Sequence, residues 1–581
     1  MRWRRLVPVL VFVVVAAVRS AHWASLEASP LSDWNLWMET DEWGFVDWSA
    51  HLASGNWLDI PAWRSYFYWQ TPYGPPEAWE RWYQKNAYFA GPLYPYGLAL
   101  IRVGGLPLLP SVRLLQLLLA CVAAATLAAA AQAVAGRSLR EGSGGSGGVA
   151  ESAGSFPGPA LAGLVAGLLH GLYGPLVFHD GFAYRDGPVA HVSALLLAGG
   201  LLGRVGTGER EGEAPGGGAG AFCLGLLGGL AMLLKQTTAP LALAAVYCLS
   251  KRAPVGAKRR VVLFGALGLA LPLAALAGRN VFAGVPPLTF DTRQAISVAW
   301  ANGRGADGTT TPPQALKGIL EEAGGSTSRT AWLVLRGYAD SPWELPRLLA
   351  KKAATFFLSY EVPDNSNWYF FRDRLPVLRL LPVFPCLVGF GVLGLLVAVR
   401  YGQFPPGGSA LALAAFAVPL AACVFAVTTS RYRASVAPPL ALGCGLFVVW
   451  LARTWRAGDR GAAVALCSTG VLAGVLSAAV PSPIPAPRHR WSDTIVAATL
   501  TEAREGPAAA AREIDRYRSS GRDDPRYERG LKALSAWKAG DRTSARVAPA
   551  GVAPPEARYR ESMPDPDERG AGEPAAKDRS R

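Results

Sequence analysis

Charged residues are scarce in this chain. They make up 17% of its 581 residues, against roughly 25% in ordinary soluble proteins. Hydrophobic residues reach 51%, and long apolar runs recur between residues 6 and 480. This composition excludes an ordinary cytosolic enzyme and a disordered protein. It predicts an all-α polytopic membrane protein, that is, a chain that crosses the bilayer many times.

Motifs of nucleotide-dependent and metal-dependent enzymes are also lacking. The chain has no GxxxxGK[ST] phosphate-binding loop and no HExxH zinc motif, so neither chemistry is indicated. All seven cysteines fall within apolar runs, where they act as small hydrophobic residues rather than as disulfides or metal ligands. The net charge of +15 indicates basic cytoplasmic loops rather than nucleic-acid binding, because no zinc-finger spacing accompanies it.

The apolar runs that are present alternate with basic loops, and this pattern orients the chain in a membrane. Short loops rich in Lys and Arg stay in the cytoplasm, so the arginines at the start of the chain and the five basic residues within 251–260 lie inside. Threading the remaining runs predicts about eleven spans within residues 1–480, with external loops at 24–93 and 279–380. A cleaved signal peptide is the alternative to an uncleaved first span.

The number of spans depends on the segment 93–109, which contains proline, glycine and arginine. If both 93–109 and 111–135 cross, every later basic loop falls outside. If 93–109 is a re-entrant or juxtamembrane element, those loops fall inside, and we therefore expect only 111–135 to cross. The Gly/Ser-rich stretch 142–155 then forms a flexible internal linker. The many tryptophans of 24–93 predict short helices lying at the membrane interface.

The last hundred residues form a tail of different composition. A Pro-rich linker occupies 481–492, and 493–544 is predicted to be a short helical segment similar to one degenerate tetratricopeptide-type hairpin. Residues 545–581 are rich in Pro, Gly and charge, which predicts disorder. The threading places this tail outside.

Acidic residues mark two external positions at the membrane boundary. Asp41 and Glu42 follow the first span, and Asp186 lies in the short loop 179–188. Carboxylates are costly to hold at such a boundary without a function. A carboxylate is also what a sugar-transfer enzyme needs to take a proton from an acceptor hydroxyl. The alternative is that these are solvated loop acids.

Cationic residues on the same predicted face are few. Lys235 lies at the tip of a helical hairpin, Arg279 begins the second external loop, and Arg431 and Arg433 follow a later span. Fixed cations at the level of the outer headgroups suit a lipid phosphate. The alternative is that each side chain simply extends to the lipid headgroups.

A series of motifs covers residues 1 to about 450 in a fixed order. After the first span comes Asp41-Glu42-Trp43-Gly44-Phe45, and the later motifs are GPLYPYGLAL (91–100), AYRDGPVAH (183–191), LLKQTTAP around Lys235, ANGRGADGTTTPP (301–313), SYEVPDN (359–365) and SRYRASVAPPL (430–440). Their order resembles the GT-C superfamily of integral-membrane glycosyltransferases, in the branch of protein O-mannosyltransferases and lipid A aminoarabinose transferases. That branch has a D-E-x-x-Y/F motif after its first span, and commonly an Arg at the position of Lys235.

The resemblance implies a GT-C-like bundle in the bacterial inner (cell) membrane. The sugar donor would be a polyprenyl phosphate on the outer face, with no cofactor and with a divalent metal left open. By carry-over Asp41 is the general base of an inverting displacement, with Glu42 as the alternative, and Asp186 orients the acceptor. The candidates for the donor phosphate are Lys235, Arg279, Arg431 and Arg433, and those for acceptor or loop contacts are Arg185, Glu361 and Asn365.

Three functions remain as hypotheses. The leading one is an enzyme that transfers one sugar from a polyprenyl phosphate to a hydroxyl on a lipid, glycan or protein. A flippase or transporter of lipid-linked sugars would need ionisable residues deep inside its spans and an internal repeat, whereas the span interiors are mostly Ala, Leu, Val and Gly. A glycan polymerase or ligase shares the large external loop. The expected partners are the donor, its acceptor and membrane lipids, with no nucleic acid.

Overall fold

The computed structural model describes most of the chain. The described residues are 2–37, 40–67, 70–141, 158–203, 217–309, 311–484, 488 and 490–519. The predicted linker 142–155, most of the second half of the predicted helical segment 493–544 and the tail 545–581 lie outside them.

Every regular element of the described residues is a helix, which confirms the all-helical class for that part of the chain. The first eleven are α1 (Arg2–Glu27), α2 (Asp41–Ala53), α3 (Pro76–Trp82), α4 (Leu93–Val103), α5 (Leu108–Glu141), α6 (Gly158–Leu172), α7 (Gly174–His179), α8 (Asp186–Leu202), α9 (Gly217–Leu234), α10 (Ala239–Arg252) and α11 (Val255–Phe282). The others are α12 (Arg293–Asn302), α13 (Leu316–Ala323), α14 (Thr327–Gly337), α15 (Glu344–Phe357), α16 (Trp368–Arg372), α17 (Pro376–Arg379), α18 (Phe384–Arg400), α19 (Gly408–Phe425), α20 (Ser430–Ala434), α21 (Ala437–Arg456), α22 (Arg460–Ala479), α23 (Trp491–Glu505) and α24 (Pro507–Arg518).

Within the described residues, six helices are long and apolar enough to cross a membrane. They lie in α1, α5, α11, α19, α21 and α22, and shorter apolar helices are found in α6, α8, α9 and α18. These apolar helices indicate a membrane-associated protein. The total of about eleven spans stays a prediction.

Glycines allow the apolar helices to pack closely. A Cβ on Gly225 of α9 would lie 2.0 Å from the carbonyl oxygen of Gly265 in α11. A Cβ on Gly394 of α18 would lie 1.8 Å from that of Gly443 in α21. Small residues at such positions let helix backbones approach, which is how helices associate where burial from water gives no driving force.

The helices α8, α10 and α19 define two ends of the bundle. At one end Arg252 donates to the carbonyl oxygens of Gly200 and Leu201, both at 2.9 Å, and Cys248 contacts the Pro406 carbonyl oxygen at 3.6 Å. We call this the basic end. The opposite end, where α8 and α10 begin, holds the loops and the candidate site.

Helix α4 is too short to span a bilayer. Its 11 residues reach only about 16 Å, roughly half of the hydrocarbon thickness. It packs on α2, where Arg102 donates to the Ser49 hydroxyl at 2.9 Å and to the Val46 carbonyl oxygen at 3.2 Å. Such a helix suits the juxtamembrane element expected for 93–109.

Several tryptophans of the first loop form an aromatic core, and the location of the loop's short helices at the membrane interface stays a prediction. Trp34, Trp48 and Trp79 are at most 2% exposed. Trp48 stacks on Trp63 with ring centroids 6.1 Å apart and donates to Asp59 at 3.0 Å. Indole rings can pack against one another and still hydrogen-bond through the N–H, as Trp48 does here. Such packing gives the first loop a core of its own.

The tail helices α23 and α24 dock on the loops. Arg504 donates to the carbonyl oxygens of Ser29 and Glu27 at 2.7 and 2.8 Å, and Arg374 pairs with Glu513 at 2.7 Å. Helix α24 lies within the segment 493–544. The tail therefore belongs to the same end of the molecule as the candidate site.

Candidate functional site

The first turn of α2 positions the acidic pair. Thr40 precedes the helix, and its hydroxyl accepts from the backbone N–H of Trp43 at 3.2 Å. Asp41 and Glu42 follow in the first turn. A helix N-terminus favours negative charge, so this location stabilises an ionised carboxylate.

Asp41 is held by three side chains from distant parts of the chain. Arg293 donates to both carboxylate oxygens at 3.2 Å, Arg431 donates to Oδ2 at 2.9 Å, and the Tyr184 hydroxyl donates at 3.1 Å. Burial alone would raise the pKa of Asp41, but the charges of Arg293 and Arg431 outweigh it and hold that pKa well below its usual range. Asp41 is therefore ionised at neutral pH.

Glu42 has the opposite environment. It is 3% exposed, and its Oε2 has no hydrogen-bond partner among the described residues. Burial, with a further contribution from the charge of Asp41, raises the pKa of Glu42 to about 8. Two adjacent carboxyl groups thus have different protonation states at neutral pH, an arrangement typical of functional sites.

Asp186 and Lys235 join the same site from the beginning of α8 and the α9–α10 hairpin. The Lys235 ammonium lies 2.6 Å from Asp186 Oδ1 and 3.5 Å from the ring centroid of Tyr432. The Asp186 side chain is fully buried. A buried carboxylate is tolerated because the lysine neutralises it.

Arg431, in the short helix α20, connects these groups. Besides Asp41, its guanidinium lies 2.6 Å from Asp364 and 4.0 Å from Asp186, and it also bonds to Tyr184. One arginine thus faces three carboxylates. We call the following set the carboxylate–cation cluster: Asp41, Glu42, Tyr184, Asp186, Lys235, Arg293, Asp364 and Arg431.

A narrow apolar crevice between α8, α10 and α19 reaches the cluster. It measures about 20 Å³, with Lys235 and Tyr432 among its lining residues and otherwise mostly apolar side chains such as Val189, Leu241 and Val418. The cation of Lys235 therefore lies at a small opening between helices of the bundle. Its lining combines apolar side chains with the hydroxyl groups of Ser193, Thr237, Thr238 and Ser435.

Comparisons with known proteins give no name to this arrangement. No family model, no curated protein and no solved structure matches the chain.

Arg279, which the sequence grouped with the phosphate contacts, holds the first loop instead. It donates to the backbone carbonyl oxygens of Leu58 at 3.1 Å and of Asn86 and Asp59, both at 2.5 Å. Its guanidinium lies 4.1 Å from the ring centroid of Tyr88. The position of Arg279 at the end of α11 was visible in the sequence, but the direction of its side chain was not.

Arg279→Gln is therefore expected to affect stability rather than donor binding. Losing charged hydrogen bonds to three backbone carbonyls should lower the free energy of unfolding by about 2–3 kcal/mol, with the donor KM unchanged. Thermal unfolding of the detergent-solubilised protein measures this, with the exposed Arg336→Gln as control. A raised donor KM with an unchanged free energy of unfolding would instead support a contact between Arg279 and the donor phosphate.

Arg433 likewise faces away from the cluster, although it lies two residues from Arg431. It pairs with Glu361 at 2.6 Å and bonds to the Leu358 carbonyl oxygen. Glu361 also accepts from the Tyr173 hydroxyl at 3.2 Å. This pair braces the predicted external loop 279–380, and both side chains lie outside the cluster.

The remaining predicted residues lie beside the cluster. Arg185 donates to the Leu234 carbonyl oxygen at 3.0 Å, which fixes the tip of the α9–α10 hairpin. Asn365 follows Asp364, and its amide nitrogen is buried without a hydrogen-bond partner among the described residues. An unsatisfied buried donor next to ion-paired groups is available to a ligand.

The sequence did not reveal Arg293, Asp364 and Tyr184 as site residues. Arg293 begins α12 and reaches Asp41 across 252 residues, and Asp364 lies in an irregular loop. The only available signal was that Tyr184 and Asp364 stand inside two of the motifs. Within the described residues no group of His, Cys, Asp or Glu is arranged to hold a metal ion.

A second buried polar network lies among α1, α6 and α8. Asp180 forms an ion pair with Arg19 and accepts from His191 at 2.8 Å, while His191 lies 3.3 Å from His170. The span interiors are mostly Ala, Leu, Val and Gly in sequence, yet Arg19, His170 and His191 place charged and polar groups inside α1, α6 and α8.

Proposed function

We propose that this protein is a membrane glycosyltransferase. It transfers one sugar from a polyprenyl-phosphate donor to a hydroxyl of a lipid, glycan or protein acceptor on the outer face of the membrane. The observation that carries the proposal is the convergence of four carboxyl groups and three cations at one end of an apolar helical bundle, next to an apolar crevice. The GT-C resemblance of the motifs supports the same conclusion.

The donor phosphate is assigned to Lys235 and Arg431. Both are already in place among carboxylates, so an incoming phosphate would exchange with a carboxylate rather than require new cations. The prenyl chain would widen the crevice between α8, α10 and α19. Arginine gives bidentate contacts to phosphate oxygens, and lysine adds a point charge.

Asp41 is assigned as the proton acceptor of a single displacement. The acceptor hydroxyl oxygen attacks the anomeric carbon, its proton passes to Asp41, and the bond from that carbon to the phosphate oxygen breaks. The phosphate leaves with the electron pair, so the anomeric configuration inverts. The protein needs only a base and cations for the departing charge.

The proposed topology has about eleven spans, with the N-terminus in the cytoplasm and the C-terminal tail in the periplasm or outside the cell. It places the protein in the inner (cell) membrane of a bacterium. In support, the basic residues after α10, α18 and α21 lie at the ends of those helices away from the cluster. That is the distribution expected for cytoplasmic loops.

Single cysteines in a cysteine-free background test this topology. Residues 42 and 360 and the tail beyond 485 are expected outside, and 140, 255 and 456 inside. Impermeant thiol reagents applied to intact cells should label the cysteines expected outside, each when a local opening of the structure exposes it. The cysteines expected inside should be labelled only after the membrane is permeabilised. Labelling of position 255 from outside the cell would contradict the predicted orientation of all the spans, because that orientation depends most on the basic loop 251–260.

Substitutions of Lys235 test the phosphate contact. Lys235→Ala should lower kcat/KM for the donor by an amount corresponding to about 2–4 kcal/mol of transition-state stabilisation. Lys235→Arg should cost far less, because the charge remains. Kinetics with a synthetic polyprenyl-phosphate hexose measure both variants. Equal activity in the alanine and arginine variants would show that the charge of Lys235 does not act on the departing phosphate.

A flippase of lipid-linked sugars is the second candidate, because of the buried Arg19–Asp180–His191 network. Ionisable groups inside helical bundles often line transport routes. Purified protein with labelled polyprenyl-phosphate hexoses and a membrane extract distinguishes the two functions. Transfer of the label to an acceptor supports the enzyme, whereas intact donor that has crossed a liposome bilayer supports the flippase.

A further inference from the structure

A cavity outside the carboxylate–cation cluster lies where the tail docks on the loops. Its volume is about 570 Å³, within the range of roughly 300–1,000 Å³ typical of ligand pockets. Residues 29–31 form one wall, residues 370–379 a second, and the tail helices α23 and α24 close it. The walls of the cavity therefore come from distant parts of the sequence, and the cavity exists only because the tail packs on the loops.

Positive charge predominates in the lining of this cavity. Four arginines and two acidic residues take part, namely Arg374, Arg379, Arg490, Arg516, Asp373 and Glu513. One carboxylate is shared, since Glu513 lies 2.7 Å from Arg374 and 2.5 Å from Arg516. Arg379 is exposed and donates to the backbone carbonyl oxygen of Arg372 at 3.2 Å. The guanidinium groups therefore retain capacity for an added anion.

Aromatic and hydroxyl groups accompany the arginines. Tyr517 lines the cavity, together with the hydroxyl-bearing Ser29, Thr494 and Thr501. Phe370 also belongs to the lining, but the Arg374 guanidinium covers its ring at 3.5 Å from the centroid. Aromatic rings offer a flat apolar face, and hydroxyls both donate and accept hydrogen bonds. Sugar rings present the complementary surfaces, an apolar C–H face and a rim of hydroxyls, so this combination suits a saccharide better than a bare inorganic anion.

Arg490 connects this cavity with the carboxylate–cation cluster. It forms a bidentate pair with Asp493, with contacts from 2.7 to 3.2 Å. Burial raises the pKa of Asp364, and the positive charges of Arg431, then of Arg293 and last of Arg490 oppose that effect. Asp364 is the carboxylate that pairs with Arg431, so the cavity lies within electrostatic range of the cluster.

We propose that this cavity binds an anionic saccharide, a sugar chain that bears carboxylate or phosphate groups, as the acceptor of the transfer reaction. The assignment of an acceptor role rests on the proposed function. The binding itself does not require turnover. The tail helices thereby define the acceptor class, while the loops and membrane helices bind the donor.

Binding of tetragalacturonate and of the neutral maltotetraose to the full-length, detergent-solubilised protein tests this inference by calorimetry. Tetragalacturonate is expected to bind and maltotetraose not, and added salt should weaken the binding. Arg379→Gln should weaken it about tenfold, the effect of one lost charge-assisted contact, while Arg336→Gln on the exposed face of α14 should leave it unchanged. Arg379 also donates to the backbone carbonyl oxygens of Arg372 and Asp373, so thermal unfolding of Arg379→Gln is measured beside the binding to establish that the variant is folded.

Equal binding of the neutral and the acidic tetrasaccharide would overturn the inference, as would acidic binding that Arg379→Gln leaves unchanged. Arg379-dependent binding of tetragalacturonate by a protein that transfers no sugar would uphold the anion site and refute the proposed function. Transfer activity without such binding would refute the anion site alone.

Discussion

Arg431→Gln is expected to reduce kcat/KM about 10²–10³-fold, the usual loss when a preorganised charge-stabilising group is removed. Arg431 faces Asp41, Asp186 and Asp364. No other cation among the described residues contacts all three of these carboxylates. In the reaction it would contact the donor phosphate, whose negative charge grows as the sugar leaves. Steady-state kinetics with a polyprenyl-phosphate hexose measure the loss.

Folding is the necessary control for this substitution, because removing Arg431 leaves buried carboxylates without their partner. Arg431→Lys keeps the charge but not the bidentate geometry, and we expect intermediate activity from it. Arg336→Gln serves as the matched arginine control. A folded Arg431→Gln protein with wild-type kcat/KM would remove Arg431 from the mechanism.

Asp41→Asn is expected to lower kcat by about 10²–10⁴-fold, because the amide keeps the shape of the side chain but cannot accept the proton. Glu42→Gln should cost less, since the Glu42 carboxyl is neutral at pH 7 with a pKa of about 8. Asp186→Asn should be intermediate, as a residue that positions Lys235 and the acceptor. Single-turnover kinetics together with donor-binding measurements separate the chemical step from binding.

The pH profile of kcat identifies the base independently. The pKa of Asp41 is held well below its usual range by Arg293 and Arg431 against the effect of burial, so Asp41 stays ionised and kcat should be flat between about pH 6 and 9. If Glu42 were the base, kcat would rise as the pH passes through its pKa of about 8. That rise, with an inactive Glu42→Gln, would transfer the role to Glu42.

The helical class was predictable because apolar composition and basic flanks act locally. The long helices α5, α11 and α22 correspond to apolar runs visible in the sequence. The burial of the tryptophans in a protein core was not predictable in this way. Trp48 is as suited to a membrane interface as to a core, and only the loop's tertiary packing against residues such as Asp59 decides between them.

The site was predictable where a residue stands at the end of an apolar run. Asp186, Lys235 and Arg431 follow or precede such runs, Asp41 stands in the loop after the first run, and the structure brings them together. Arg279 has the same kind of position, yet its side chain holds the first loop. Arg293 lies within a long loop, where no periodicity indicates which distant carboxylate it meets.

The most direct test of the proposed transfer is the product made by the purified protein from a polyprenyl-phosphate hexose labelled in the sugar. With membrane extract as the acceptor source, the wild-type protein is expected to release polyprenyl phosphate and to form a labelled product of inverted anomeric configuration. Asp41→Asn should bind the donor and form neither. Retained configuration, or an Asp41→Asn protein as active as the wild type, would contradict the account.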